Sequence, residues 1–195
     1  MEPMSSAEAA SVSPEHRRIL LDTARQSIEY GVEHGRPWSV RADEYPEPLR
    51  AERATFVTLR QANRQLRGCI GTSLAARPLV EDVCRNAYSA AFMDPRFPAL
   101  RADEVEGLQV QISVLTPLED VPVESVPELL EAVRPGVDGL LVEDGPHRGT
   151  LLPSVWEALP EAPVFLRELW LKAGLTPGHW SEATRVYRYT AECFP

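Results

Sequence analysis

The residues best suited to chemistry form one short run, Leu66-Arg67-Gly68-Cys69-Ile70-Gly71-Thr72. Its apolar residues suit a strand, and glycine inside a strand weakens it unless a bulge or the close approach of another group requires it. Something is therefore expected to lie against the backbone at Gly68 and Gly71. Cys69 between them is a candidate nucleophile, because Arg67 next to it carries a positive charge. An unperturbed thiol, with a pKa near ~8.5, is only slightly ionised at neutral pH, so it needs such help. A helix opening after Pro78 would add its positive N-terminal end if it packs nearby. The alternative is that Cys69 is a small buried residue between permissive glycines.

Other residues carry weaker signals. Arg67 would hold an anionic substrate group or pair with an acidic neighbour. Asp94 and Arg96 flank Pro95, where they suit a structural ion pair or a role in a cleft. His147 and Arg148 follow a turn signal; a histidine there titrates near neutrality and would serve as general acid or base, or would simply sit exposed. His16, His34 and His179 read as helix or loop surface, and the absence of His-x-His or His-x-x-x-His spacing gives a metal site no local support. Cys84 and Cys193 read as structural thiols. Glu81 and Asp82 suit the dipole at the start of a helix. Gly68 and Gly71 do not make a GxGxxG phosphate loop, and no cofactor is expected.

The elements that must position these residues follow from composition and periodicity. Hydrophobic residues make up 44% and charged residues 25% of 195, close to the globular average of roughly 45–50% and roughly 25%. The 18 prolines are about twice the usual share of roughly 5%, and since proline fixes φ and lacks a donor, the proline-free windows are where regular elements belong. Ser13-Pro14 reads as an N-cap and first helical residue, and Leu20, Ala24, Ile28 and Val32 mark a helix over 14–34, ending near Gly35. Runs over 54–60 and 66–70 predict a hairpin turning near Asn63, which tolerates the left-handed conformation. Pro78 opens a helix with Leu79, Val83, Ala87 and Ala91 on one face, stopping at Asp94-Pro95. Residues 108–114 alternate apolar and polar, the period of a half-buried strand. Further on come a short helix over 128–133, strands over 140–143 and 149–152 around a turn at Asp144-Gly145-Pro146, a helix over 164–173 closed by Gly174, and a last strand over 185–191. Strands joined by short turns, with no regular βαβ alternation, predict an α+β fold with an antiparallel sheet.

Charge and cysteine usage bound the function. The net charge is −9, yet residues 1–35, 36–101 and 102–195 carry −3, +4 and −10, and all but one of the 20 basic residues are arginine. The overall sign disfavours a nonspecific nucleic-acid binder or a protein resting on anionic lipid. The basic middle segment suits bidentate recognition of phosphate or carboxylate. Three cysteines without a Cys-x-x-Cys motif support neither a disulfide scaffold nor a zinc ribbon. Residues 1–13 lack the basic start and apolar core of a secretory signal and read as a flexible tail before one domain over 14–195. With no run approaching the ~18 apolar residues of a membrane span, a cytoplasmic protein without membrane contact is expected.

The run LRGCIGT resembles the signature of the AMMECR domain family, whose bacterial and archaeal members are called AmmeMemoRadiSam system protein A. The resemblance continues in order through AFMDPRFPAL (91–100), ISVLTPLE (112–119), GLLVEDGPHRGTLLPSV (139–155) and FLRELWLKAGL (165–175), with Trp180 beyond. Ser154 departs from the family, which usually has Gln before Val in this LLPSV segment. The resemblance implies a two-lobed α+β unit around antiparallel sheet, with Arg67-Gly68-Cys69 beside a cleft. It also implies a modification pathway shared with a Memo-like protein, related to ring-opening non-haem iron dioxygenases, and with a radical S-adenosylmethionine enzyme. The radical chemistry would belong to that partner, since this chain lacks a three-cysteine cluster motif. Three functions stay open: a thiol-dependent enzyme subunit or substrate-binding partner using Cys69, a phosphate-, nucleotide- or RNA-binding module, and an adaptor without chemistry of its own.

Overall fold

The computed structural model describes residues 11–195; residues 1–10 of the expected tail lie outside them. Two compact units divide the chain: residues up to Leu115 with Glu192–Pro195, and Thr116–Ala191.

The first unit opens at Val12, which is buried and donates its N–H to the Glu192 carboxylate at 2.8 Å. Helix α1 (Pro14–His34) begins where Ser13 accepts from the His16 N–H, and Gly35 closes it in the left-handed conformation, as the sequence requires. Leu20, Ala24 and Ile28 form its buried stripe. Strands β1 (Thr55–Arg60) and β2 (Leu66–Gly71) pair as the expected antiparallel hairpin. Its turn differs from expectation: Arg64, not Asn63, takes positive φ, while the Asn63 side chain accepts from the Gln65 N–H at 3.0 Å. The Asn63 amide thus braces the turn that Arg64 makes. Helix α2 (Leu79–Phe92) follows Pro78, and β3 (Gln109–Leu115) pairs with the other edge of β1. Val57, Leu59, Val110, Ile112 and Val114 meet the apolar stripes of both helices in one core.

The second unit contains β4 (Glu119–Asp120), α3 (Val126–Ala132), β5 (Gly139–Asp144), β6 (His147–Leu151), α4 (Ala162–Lys172) and β7 (Arg185–Tyr189). Its sheet runs β4-β7-β5-β6. One face packs on α4, where Trp156 and Phe165 stack with ring centroids 3.8 Å apart. The expected last strand over 185–191 is two strands: after Tyr189 the chain leaves this sheet, and β8 (Ala191–Phe194) joins the first, giving the order β2-β1-β3-β8. The fold is mixed α+β with two sheets whose mapped pairings are antiparallel. Among the described residues no helix is long and apolar enough to cross a membrane.

Candidate functional site

Alternation along the first sheet sorts the signature run onto two faces. Gly68 and Ile70 face the helices, and Cys69 and Gly71 face away with Phe56, Thr58, Gln111 and Ser113, all half-exposed. A Cβ at Gly68 would come within 2.0 Å of the Ala90 carbonyl oxygen of α2, and one at Gly71 within 2.3 Å of the Phe56 ring. Both glycines are therefore there for close approach, as expected. The register slips between Leu59 and Arg60, so that Leu59 faces Gly68 while Arg60 faces Leu66. Arg67 is the extra residue of this bulge, which re-aims a side chain.

Re-aimed, Arg67 is buried and grips Glu104 with both forks, Nε at 2.8 Å and Nη2 at 3.0 Å. The buried Nη1 finds no partner among the described residues. Arg67 in turn holds the Glu104 carboxyl below its ordinary range. The cation beside Cys69 is instead Arg96.

Cys69 sits opposite Thr58 on the exposed edge strand β2, with both its backbone N–H and its carbonyl turned away from β1. Asp94 accepts the N–H at 2.8 Å, and Arg96 Nη2 donates to the carbonyl at 3.2 Å. The two side chains are themselves tied by two bonds, at 2.9 and 2.7 Å. They thereby do for the edge what a neighbouring strand would do. Arg96 holds the Asp94 carboxyl well below the usual carboxylate range; Asp94, and more weakly Cys69, push the guanidinium above its own. The Thr58 hydroxyl reaches the Cys69 sulfur at 3.3 Å. About half of the Arg96 side chain remains exposed, at 53%.

The expected help from the N-terminus of α2 does not reach this thiol. Gly68 packs at Ala90, near the end of the helix, whereas Thr72 bonds Asp82 at its start. Strand and helix run opposite ways, so the helix N-terminus lies about 16 Å along the axis from Ala90 at ~1.5 Å per residue. Asp82 also departs from its expected capping role. Only 1% exposed, it accepts from Thr55, Thr72, Arg77 and Asn86, tying the entry of β1 and the exit of β2 to α2.

His147 and Arg148 belong to the second unit, on β6. Arg148 pairs across the hairpin with Glu143 at 3.2 Å, and His147 Nδ1 lies 3.3 Å from the Ala173 carbonyl. Residues with no predicted role in chemistry, among them His179, expected as surface, and Asp144, expected in a turn, meet in the same unit: Asp144 takes bonds from His179 (3.0 Å), Ser181 (2.7 Å) and Thr184 (2.6 Å). Histidine and serine both address the same carboxylate oxygen. The cluster is therefore a clasp for the loop before β7 and not a relay toward a serine nucleophile; its bonds, led by Thr184 and Ser181, keep the Asp144 carboxyl below its ordinary range. The described residues contain no group of three His, Cys, Asp or Glu placed to hold a metal.

The sequence model of the AMMECR1 family matches residues 21–194, almost the whole chain. The chain belongs to the AMMECR1 family. A relative from Methanothermobacter thermautotrophicus is 39% identical over 191 residues, covering 95% of this chain and 96% of the relative. One from Thermococcus gammatolerans is 42% identical over 192 residues, covering 94% and 91%. The crystal structure of an uncharacterized Pyrococcus horikoshii protein superposes with a TM-score of 0.79 at 38% identity, covering 90% of this chain and 88% of that one. In this AMMECR1-family chain the signature run is thus an edge strand, sealed by the Asp94–Arg96 pair.

Proposed function

We propose that this protein is a thiol-dependent component, an enzyme subunit or substrate-binding partner, of a cytoplasmic modification pathway whose other members are a Memo-like protein and a radical S-adenosylmethionine enzyme. The observation that carries the reading is the half-exposed Cys69 thiol beside a half-exposed Arg96, on a strand whose backbone is held by Asp94. In it Cys69 is the reacting group and Arg96 holds an anionic group of the substrate, while Arg67 and the two glycines position the strand. All three cysteines are free, which suits a reducing compartment.

Two measurements test it. Iodoacetamide should alkylate Cys69 faster than the buried Cys84, whose thiol burial pushes up, and Cys69→Ala should abolish pathway output in cells. Reaction with the anion iodoacetate, relative to neutral iodoacetamide, should fall about two- to five-fold in Arg96→Gln, the worth of one exposed charge contact. A Cys69 no more reactive than Cys84, or full output from Cys69→Ala, would sink the reading.

A further inference from the structure

A groove of about 730 Å³ lies in the first unit, away from the Cys69 face of the sheet, between residues 37–40 and α2. Its size falls in the ~300–1,000 Å³ range of small-molecule sites. One wall is a helical stripe at i, i+4 and i+7: Glu81, Arg85 and Tyr88. The other carries Trp38, and Arg77 stands at one end. Gly35 turns the chain out of α1 into this wall, and the Tyr88 hydroxyl ties back to the Gly35 carbonyl at 3.3 Å. Cys84 on the floor gives its S–H to the Trp38 carbonyl at 3.4 Å, which fastens the two walls together.

Two of the charged groups here, those of Arg85 and Glu81, are not consumed by the fold. Arg85 is exposed, and its guanidinium makes no hydrogen bond or ion pair among the described residues; neither does the Glu81 carboxylate. Arg77 gives Nη1 to Asp82 at 3.2 Å and keeps its other donors. An aromatic residue on each wall, Trp38 and Tyr88, the latter's ring also packed on Phe92 with centroids 4.9 Å apart, together with two arginines and one glutamate in a single groove, match the parts of one ligand class. Trp38 and Tyr88 are suited to stack a planar base, the unpaired Arg85 guanidinium to take a phosphate, and Glu81 to accept from ribose hydroxyls, as acidic residues do in dinucleotide sites.

We propose that this groove binds a nucleoside monophosphate. The site is independent of the thiol reading. One short groove with a carboxylate in it, on a chain of net charge −9, fits a free mononucleotide better than a polyanionic strand, which needs a run of cationic contacts.

Calorimetric titration of the full chain with AMP, adenosine, inorganic phosphate and a single-stranded oligoribonucleotide tests it. AMP should bind with adenosine and phosphate each about ten-fold weaker, since each lacks one half of the contacts. Arg85→Ala should weaken AMP about five- to ten-fold and leave adenosine unchanged, and Trp38→Leu should weaken both. Cys69→Ser should bind AMP like the wild type, so that failure of the thiol reading leaves this result standing. No AMP binding at millimolar concentration, an AMP affinity unchanged by Arg85→Ala, or tighter binding of the oligonucleotide through Arg85 would each overturn the proposal. Arg85 is exposed and unpartnered, so its variant folds whether or not Trp38→Leu does.

Discussion

Asp94 is the residue on which the geometry around Cys69 turns. Its carboxylate is nearly inaccessible, at 2%, yet accepts four bonds, one from the Cys69 N–H and three from Arg96. Asp94→Asn keeps the shape but replaces an anion by an amide, which turns an N–H toward a guanidinium or toward the Cys69 N–H. A buried donor left without its acceptor costs about 1–3 kcal/mol, so the urea midpoint should fall accordingly. The Cys69 amide, now shielded on an otherwise open edge, should exchange its hydrogen at least about ten-fold faster, since 1.4 kcal/mol of local opening is a factor of ten. An Asn variant with wild-type stability and wild-type exchange at Cys69 would show that the bonds do not hold the strand. The sequence brings Asp94 and Arg96 together because they lie two residues apart across Pro95. It gives no sign that their target is Cys69, which is 25 residues away and is reached only through the packing of β2 on α2.

At the scale of elements, the approach of β2 to α2 depends on Gly68. A methyl group there would meet a helix carbonyl at 2.0 Å, a backbone atom that cannot swing aside as a side chain would. Gly68→Ala should therefore separate strand and helix at a cost of about 1–3 kcal/mol and loosen the Asp94 and Arg96 contacts that depend on their spacing. Denaturation and alkylation of Cys69 would move together; a stable variant with unchanged thiol reactivity would refute the coupling. Elements with local punctuation were legible in the chain: Ser13-Pro14 and Gly35 bound α1, Pro78 opens α2, and the period-two run gives β3. What stayed hidden depends on partners distant in sequence. Arg67 leaves the strand's alternation because of a bulge, and it chooses Glu104 over an outside anion. Asp82 looks like any acidic residue in a first helical turn until β1 folds over it. The run after Thr184 reads as one strand because nothing local says that Tyr189 and Phe194 serve different sheets.

For the whole molecule, the depressed carboxyl groups set the response to acid. Arg96 lowers Asp94, Arg67 lowers Glu104, and Thr184 and Ser181 lower Asp144, so both compact units contain carboxylates that prefer ionisation in the folded state. In the unfolded chain the same groups titrate near ~3.9 for Asp and ~4.3 for Glu. Above those values both states are ionised and the stabilisation is complete; as pH falls below them the unfolded chain takes up protons first, and stability drops toward the lower folded values. The urea midpoint should thus be insensitive to these groups between about pH 6 and 8 and fall steeply below about pH 4. Protonation of the 29 acidic residues also leaves the 20 Lys and Arg residues and the 4 histidines, by then protonated, to repel one another, which steepens the same fall. The two causes separate in Asp94→Asn. Its loss of charge hardly alters the repulsion among the cations, but it removes one of the linked titrations, so the variant should be less stable than the wild type at pH 7 by a gap that narrows steadily as pH falls from about 4 to about 2. Parallel curves, with the same difference at pH 7 and at about pH 2, would assign the acid response to net charge and leave the Asp94–Arg96 pair without a share in it.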